Sequence, residues 1–204
     1  MLQQIFIDLT QRYTSDIRLS EKLWEEIETN YSNKNRHYHN LSHIENLFNQ
    51  LASVRGQIED WDTILFSMFY HDIIYKATSS ENEGKSAEFT KNRLQLLAFP
   101  TENINKCIYQ ILETKGHSVS DENDTNLFTD ADLSILGHSW EAYSEYFTQV
   151  RREYAIYPDF MYNPGRKKVL NHFLKMERIF KTNLFYEKFE NQARQNLMEE
   201  LKTY

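Results

Sequence analysis

A histidine and an aspartate stand side by side inside an apolar run. His71 and Asp72 occupy the middle of FYHDIIY, whose aromatic and isoleucine residues favour a protein core. Burying a charged aspartate costs several kcal/mol unless a cation or hydrogen-bond donors compensate it. The pair therefore needs a partner in the fold, and metal binding is one chemistry that supplies such a partner.

Two other parts of the sequence direct polar side chains toward apolar faces. At about 100° per helical residue, His43 lies beside the apolar stripe of the segment 41–55. The same count places Asp132 on the apolar stripe of NLFTDADLSILG and Asp130 nearly opposite it. We therefore expect His43 and Asp132 to point inward and Asp130 to face solvent.

Imidazoles and carboxylates in this combination suit a divalent transition metal. His43, His71, Asp72 and Asp132 together offer two neutral imidazoles and two carboxylates. A divalent ion would offset the carboxylate charge and keep coordination positions for water or substrate. The alternative is structural, because a core histidine is usually satisfied by hydrogen bonds and a buried His–Asp pair also occurs without a metal. The spacing alone leaves both interpretations open.

Helices must position these residues. Apolar residues recur at three- and four-residue spacing in about eight or nine segments. The segments are 2–30, 41–55, 61–75, 81–98, 102–115, 124–136, 139–156, 164–180 and 184–202. Only 5 Gly and 3 Pro interrupt the chain, and alternating β-branched runs around Asn-Gly or Asp-Gly turns are absent. The sequence predicts an all-α fold, a single-domain helical bundle over residues 1–204.

Local signals set several helix boundaries. Ser80 and Glu83 have the S-x-x-E spacing of a capping box, in which each side chain bonds a backbone N–H of the first turn. Pro100 is expected to end that helix. Gly116 and Gly137 stand where a helix would end in a left-handed residue.

Composition restricts the partners and the compartment. The 30 acidic and 23 basic residues give a formal charge of −7, which disfavours a nucleic-acid polymer as partner. Cys107 is the single cysteine, which excludes an internal disulfide and fits a reducing compartment. The N-terminal MLQQIFIDLTQRY is too polar for a signal peptide, and no apolar run approaches the roughly 20 residues that span a bilayer. We expect a cytoplasmic protein without a membrane partner.

The order of the candidate ligands resembles a known pattern. His43, then His71 with Asp72, then Asp132 is similar to the H…HD…D arrangement of the HD-domain superfamily of metal-dependent phosphohydrolases. Further stretches resemble the bacterial group called predicted metal-dependent HD-superfamily phosphohydrolases. These stretches are RHYHNLSH, FYHDIIY, ENEGKSAE, ETKGH, DADLSILG, RREY, GRKKVLNHFL and FENQARQNLMEEL. The resemblance covers about residues 36 to 201.

The resemblance implies a fold, a cofactor and an activity. It implies an HD-type helical domain, with a metal-site core at about 36–137 and C-terminal packing helices at about 139–202. The metal would be manganese, iron, cobalt, nickel or magnesium, held by His43, His71, Asp72 and Asp132. The expected activity is hydrolysis of a nucleotide or another small phosphate ester through a metal-activated water. The alternative is a catalytically inactive HD-fold module that binds a nucleotide for regulation. A helical diiron oxidase is disfavoured because its paired E-x-x-H motifs are missing.

Several residues outside the quartet are candidates for chemistry. Asp72 would share the proton of the attacking water, and Glu83 would orient that water as general base unless it only caps a helix. Lys115 is assigned a catalytic role and His117 a substrate-binding role. The alternative for both is that positive charge is favourable at a helix C-terminus. His39 lies four residues before His43 and would be a direct ligand only if the helix began before it.

Basic side chains supply candidates for phosphate binding, since guanidinium groups match phosphate oxygens in a bidentate manner. The candidates are Arg36, Lys85, Arg151, Arg152 and Arg166. Arg36 is the best of them because RHYHN directly precedes the His43 helix. The alternative for each is a solvated helix face.

Overall fold

The computed structural model describes every residue from Met1 to Tyr204, and it is entirely helical. The ten α-helices are α1 (Leu2–Thr10), α2 (Ile17–Tyr31), α3 (Leu41–Ser53), α4 (Trp61–Tyr70), α5 (Asn82–Leu96), α6 (Thr101–Glu113), α7 (Asn123–Leu133), α8 (Trp140–Glu153), α9 (Asp159–Lys175) and α10 (Asn183–Leu201). Short 3₁₀ helices cover Arg55–Gln57 and Ser134–Gly137. The prediction of an all-α fold is confirmed.

The chain forms two compact units, Met1–Ser118 and Val119–Tyr204. The first unit contains α1 to α6, and the second contains α7 to α10. A single HD-type domain stays a prediction. None of the helices combines the length and the hydropathy needed to cross a membrane.

The first unit is built around α4. Every residue of this helix from Thr63 to Tyr70 is buried, and α3, α5 and α6 all pack against it. Asp60 caps the helix by accepting the Thr63 N–H at 3.1 Å. From α1, the Phe6 ring lies 5.1 Å from the Phe69 ring in an edge-to-face arrangement. The chain therefore leaves α4 for His71, its C-cap, from the middle of a packed core.

Two of the expected helix starts differ from the structure. The segment 2–30 is two helices, because Asp16 accepts the N–H groups of Arg18 and Leu19 and begins α2 there. The expected capping box at Ser80 is wrong. Helix α5 begins at Asn82 without a side-chain cap, and the Ser80 carbonyl instead accepts a hydrogen bond from Lys115. An S-x-x-E spacing specifies a cap only when the serine is the residue next to the helix.

The turn residues also differ from expectation. No glycine has a positive φ, so the left-handed caps expected at Gly116 and Gly137 are wrong. The left-handed residue after α6 is His117, with φ of 50°. Gly137 is required for another reason, since a Cβ there would lie 2.5 Å from the Phe189 Cβ of α10. Pro100 does not end α5 directly but is the N-cap of α6.

In the second unit, α10 is the central element. It packs against the Ser134–Gly137 turn, α8 and α9. Its Asn196 amide donates to the carbonyls of Leu136 and His138, both at 2.8 Å. These bonds from α10 give the two carbonyls at the end of the turn a hydrogen-bond donor. The close approach at Gly137 and the Asn196 bonds therefore fix the same contact.

Candidate metal centre

The His43 side chain is placed by the first turn of α3. Asn40 caps this helix by accepting the Ser42 N–H at 2.9 Å. His43 follows within the first turn and is 5% exposed, as its helical phase predicts. His39 precedes the helix and is therefore a loop residue. Its ring stacks on Tyr75 with the centroids 4.2 Å apart.

The HD pair ends a helix rather than lying within one. Helix α4 stops at Tyr70, and His71 is its C-cap, with its backbone N–H donating to the Ser67 carbonyl at 2.8 Å. His71 is 1% exposed, while the Asp72 side chain is 17% exposed in the following turn. Because the chain leaves the helix here, adjacent residues can turn their side chains toward one point. A regular helix would separate them by about 100°.

His71 lies close to two other candidate ligands of the first unit. The His43 and His71 Nε2 atoms lie 3.2 Å apart. The His71 Nε2 also lies 3.3 Å from the Asp72 Oδ2. The His39 Nε2 is farther away, 4.0 Å from the same carboxylate oxygen. The His71 Nε2 atom thus has one imidazole and one carboxylate within 3.3 Å.

The hydrogen bond of the other His71 nitrogen fixes its tautomer. The Nδ1 atom lies 2.9 Å from the Met68 carbonyl, which can only accept. Nδ1 must therefore carry the hydrogen, so the neutral ring presents a lone pair at Nε2. That lone pair points to the region shared with His43 and Asp72. A carbonyl on the far nitrogen is the usual support of a metal-binding histidine.

The spacing of these atoms matches ligands of one ion. Ligand atoms about 2.1 Å from a metal lie about 3.0 Å apart at a right angle and about 3.4 Å apart at the tetrahedral angle. The observed separations of 3.2 Å and 3.3 Å fall between these values. The His71 Nε2 atom is therefore at ligand spacing from the His43 imidazole and from the Asp72 carboxylate.

The backbone around Asp72 is held by its neighbours. Its N–H donates to the Tyr31 hydroxyl at 3.2 Å, and its carbonyl accepts from the Arg36 Nη1 at 2.6 Å. The Ser86 hydroxyl of α5 bonds both the N–H and the carbonyl of Ile74, at 3.1 Å and 3.2 Å. The turn that carries the HD pair is thus anchored on both sides.

Asp132 and Asp130 belong to the second unit, and their burial differs from the expectation. Asp132 is half-buried in the last turn of α7. Asp130 is fully buried, so the expectation that it faces solvent is wrong. Helix α7 is buried on more than one face, because the four consecutive residues Phe128, Thr129, Asp130 and Ala131 are all buried. A helical phase identifies the inward residue only when a helix has one apolar face.

Asp130 has a structural role at the start of α10. Its carboxylate accepts the N–H groups of Lys181 and Thr182, both at 2.8 Å, and the Thr182 hydroxyl at 2.8 Å. The Lys181 ammonium lies 3.4 Å from the same group. Burial raises the pKa of Asp130, and the lysine and the three donors offset part of that rise. These contacts explain why this aspartate is buried.

The candidate acid–base residues of the first unit form a separate pair. The Lys115 Nζ lies 3.6 Å from the Glu83 Oε2 and donates to the Ser80 carbonyl at 2.6 Å. Glu83 lies in the first turn of α5, and its Oε2 atom is buried. His117 is half-buried beyond the end of α6. The structure therefore joins Glu83 to Lys115, and the chemical roles of all three stay predictions.

The candidate phosphate contacts have diverse surroundings. Lys85 pairs with Glu81 at 3.0 Å on the exposed face of α5. In the second unit, Arg151 donates to Asp159 at 2.7 Å and to two backbone carbonyls. Arg152 is exposed on α8. Each role in phosphate binding stays a prediction.

Two of the remaining candidates are buried. Arg166 binds Glu200 in a bidentate manner, with distances of 2.7 Å and 2.8 Å, inside the second unit. Arg36 is 9% exposed, and its guanidinium is directed to backbone carbonyls of the first unit. Both guanidinium groups thus already bind groups of the chain itself.

Sequence reasoning missed the residues that support the HD turn. Tyr31 is 41 positions from Asp72, and no local pattern links the two. Ser86 lies within ENEGKSAE, but its bonds to Ile74 depend on how α5 returns to the turn. The one available signal was Tyr75, which belongs to FYHDIIY and stacks on His39. Hydrogen bonds to backbone groups cannot be predicted from residue type, because every residue has a carbonyl.

No protein-family model, curated protein or solved structure matches the chain. Membership of the HD-domain superfamily therefore stays a prediction from the sequence. The functional argument depends on the geometry of His43, His71 and Asp72.

Proposed function

We propose that this protein is a metal-dependent phosphohydrolase that acts on a nucleotide or another small phosphate ester. The observation that supports it best is the orientation of His71. Its Nδ1 donates to the Met68 carbonyl, and its Nε2 lies at ligand spacing from His43 and Asp72. An imidazole lone pair at ligand spacing from a second imidazole and a carboxylate suits a cation.

The proposed ligands come from two sources of evidence. His43, His71 and Asp72 are proposed from their geometry in the first unit. Asp132 is proposed as the fourth ligand from the H…HD…D resemblance, so this part rests on the sequence. Mixed imidazole and carboxylate ligands fit manganese, iron, cobalt, nickel or magnesium better than the softer metals that prefer thiolates.

A bound divalent ion would supply a Lewis acid that polarises a phosphoryl oxygen and makes water more acidic. The protein residues would then orient the substrate and move protons. Asp72 has a second carboxylate oxygen, which can accept the proton of the attacking water. Glu83 is a second candidate for this proton, and its Oε2 atom lies 3.6 Å from the Lys115 Nζ.

Metal content measured by mass spectrometry on purified protein tests the proposal. Wild-type protein is expected to carry close to one transition metal per chain after incubation with manganese, cobalt or iron. Asp72→Ala and Asp132→Asn are expected to lose it while keeping their helical content by circular dichroism. Asp8→Ala is the control, because Asp8 is an exposed carboxylate that bonds only Gln4 in α1.

Hydrolysis assays separate the enzyme from the regulatory alternative. The metal-loaded wild type is expected to release phosphate from nucleotides or p-nitrophenyl phosphate, and Asp72→Ala is expected to release none. A protein that binds metal and nucleotide without turnover would be an inactive regulatory module. A wild type that binds no metal under any of these conditions would refute the enzyme and favour the regulatory or a structural role.

A further inference from the structure

Arg36 makes an unusual set of contacts for a surface-loop arginine. The side chain is buried, and its guanidinium donates to three backbone carbonyls. The Nη1 atom lies 2.6 Å from the Asp72 carbonyl and 3.3 Å from the His39 carbonyl, and Nη2 lies 2.9 Å from the Ile73 carbonyl. One planar group therefore connects the loop before α3 to the turn after α4.

Aromatic rings hold this guanidinium in place. Its central carbon lies 4.9 Å from the centre of the Tyr31 ring and 5.5 Å from that of the Tyr75 ring. Both rings also contact the site: the Tyr31 hydroxyl accepts the Asp72 N–H, and the Tyr75 ring stacks on His39. Arg36 is thus the centre of a small support structure beneath the HD turn.

We propose that Arg36 is a positioning residue of the metal site and does not contact the phosphate of the substrate. It fixes the backbone of Asp72, so that the Asp72 carboxylate and the His71 imidazole reach the same point. It also ties this turn to the loop that leads to His43. The inference rests on the proposed function, because it assumes that these side chains bind a metal.

The chemistry of arginine explains why another cation would not serve. The guanidinium is planar, and its N–H groups form a rigid fork that can bind neighbouring carbonyls simultaneously. A lysine ammonium is a single point charge and cannot reproduce three directed bonds together with stacking on Tyr31. Loss of groups that orient metal ligands typically weakens metal binding about 10- to 100-fold.

The experiment measures cobalt affinity by competition with a chelator and records the visible spectrum of the bound Co²⁺. The proteins are wild type, Arg36→Lys, Arg36→Ala and the control Arg55→Lys. Arg55 is an exposed arginine of the same unit that also donates to a backbone carbonyl, that of Ile58, and lies over an aromatic ring, that of Trp61. Circular dichroism and thermal unfolding check that each variant is folded.

The expected result is that Arg36→Lys binds Co²⁺ about 10- to 100-fold more weakly, with an altered spectrum, while Arg55→Lys equals wild type. Added guanidinium ion at millimolar concentration should restore part of the affinity of Arg36→Ala. If Arg36→Lys binds Co²⁺ like wild type and only its KM for p-nitrophenyl phosphate rises, Arg36 is a phosphate contact and the inference is wrong. A wild type that binds no Co²⁺ overturns the proposed function and the inference together.

Discussion

The two units surround their buried polar side chains with different kinds of partner. In the second unit, the fully buried Glu200 accepts two hydrogen bonds from Arg166, at 2.7 Å and 2.8 Å, and bonds the hydroxyls of Tyr143 and Tyr204. Its charge is balanced within the fold by a cation. This arrangement resembles a closed structural ion pair.

In the first unit, the buried His71 ring lies close to another imidazole and to a carboxylate. The Nε2 atoms of His43 and His71 lie 3.2 Å apart, and the Asp72 Oδ2 lies 3.3 Å from His71. Burial alone therefore does not distinguish a structural cluster from a functional one. The distinction that we propose lies in the neighbours. Glu200 is bonded by an arginine of the chain, whereas His71 lies at ligand spacing from a second imidazole and a carboxylate.

The largest expected effect tests the closed pair of the second unit. Glu200→Ala removes the anion and leaves Arg166 buried, so it should lower the free energy of unfolding by about 3 to 5 kcal/mol. Urea titration followed by circular dichroism measures this change. The adjacent Glu199→Ala is the control, because Glu199 pairs with Lys202 on the surface. Equal stability of the two variants would contradict the closed-pair description.

The metal-dependent stability of the first unit is the next largest effect. Manganese at about 100 times its Kd should stabilise the wild type by about 2.7 kcal/mol, since it binds only the folded protein. Asp72→Asn should lose this gain, because an amide is a weak ligand. Without metal, the same variant should differ from wild type by less than about 1 kcal/mol. A large loss of stability in the metal-free variant would show that Asp72 has a structural role. It would then not differ from the Glu200–Arg166 pair of the second unit.

Asp130→Asn tests whether Asp130 has a structural role, in contrast to the metal-binding role proposed for Asp72. It weakens the ion pair with Lys181 and some of the bonds at the start of α10, so it should cost about 1 to 3 kcal/mol with or without manganese. Thermal unfolding with added manganese or with EDTA measures both conditions. An Asp130→Asn variant whose stability loss appears only with metal would place this aspartate in the metal site.

The smallest expected effect concerns the exposed pair of α5. Lys85→Ala should change the free energy of unfolding by less than about 1 kcal/mol, because Lys85 and Glu81 are both mostly exposed. Its KM for a phosphate ester is the informative value. An increased KM without a change in stability would support Lys85 as a phosphate contact, and an unchanged KM would make it a solvated face.

The sequence was sufficient for the class of fold and for the burial of His71. Helical periodicity and the scarcity of Gly and Pro predicted an all-α chain, and the apolar neighbours of His71 in FYHDIIY predicted that it lies in the core. The phase argument held for His43, whose helix has one buried face. It failed for Asp130, because α7 is buried on several faces and its inward side cannot be deduced from spacing.

The contacts that Arg36 makes beside the site could not be predicted from sequence patterns. Arg36 acts through the carbonyls of Asp72 and Ile73, and every residue type carries a carbonyl. The sequence therefore identified Arg36 as a cation near His43 and interpreted the charge as phosphate binding. Only the folded chain shows that the guanidinium donates to the backbone carbonyls of His39, Asp72 and Ile73.

Nitrogen-15 NMR of the imidazole rings tests the central claim most directly. Long-range ¹H–¹⁵N spectra of the metal-free protein are recorded during titration with Zn²⁺, and His43→Gln and His71→Gln variants assign the two rings. We expect His71 to be the Nδ1–H tautomer, and both Nε2 resonances to shift together until one equivalent of Zn²⁺ has been added. A His71 ring protonated at Nε2, or Nε2 resonances that do not respond to Zn²⁺, would contradict the metal centre.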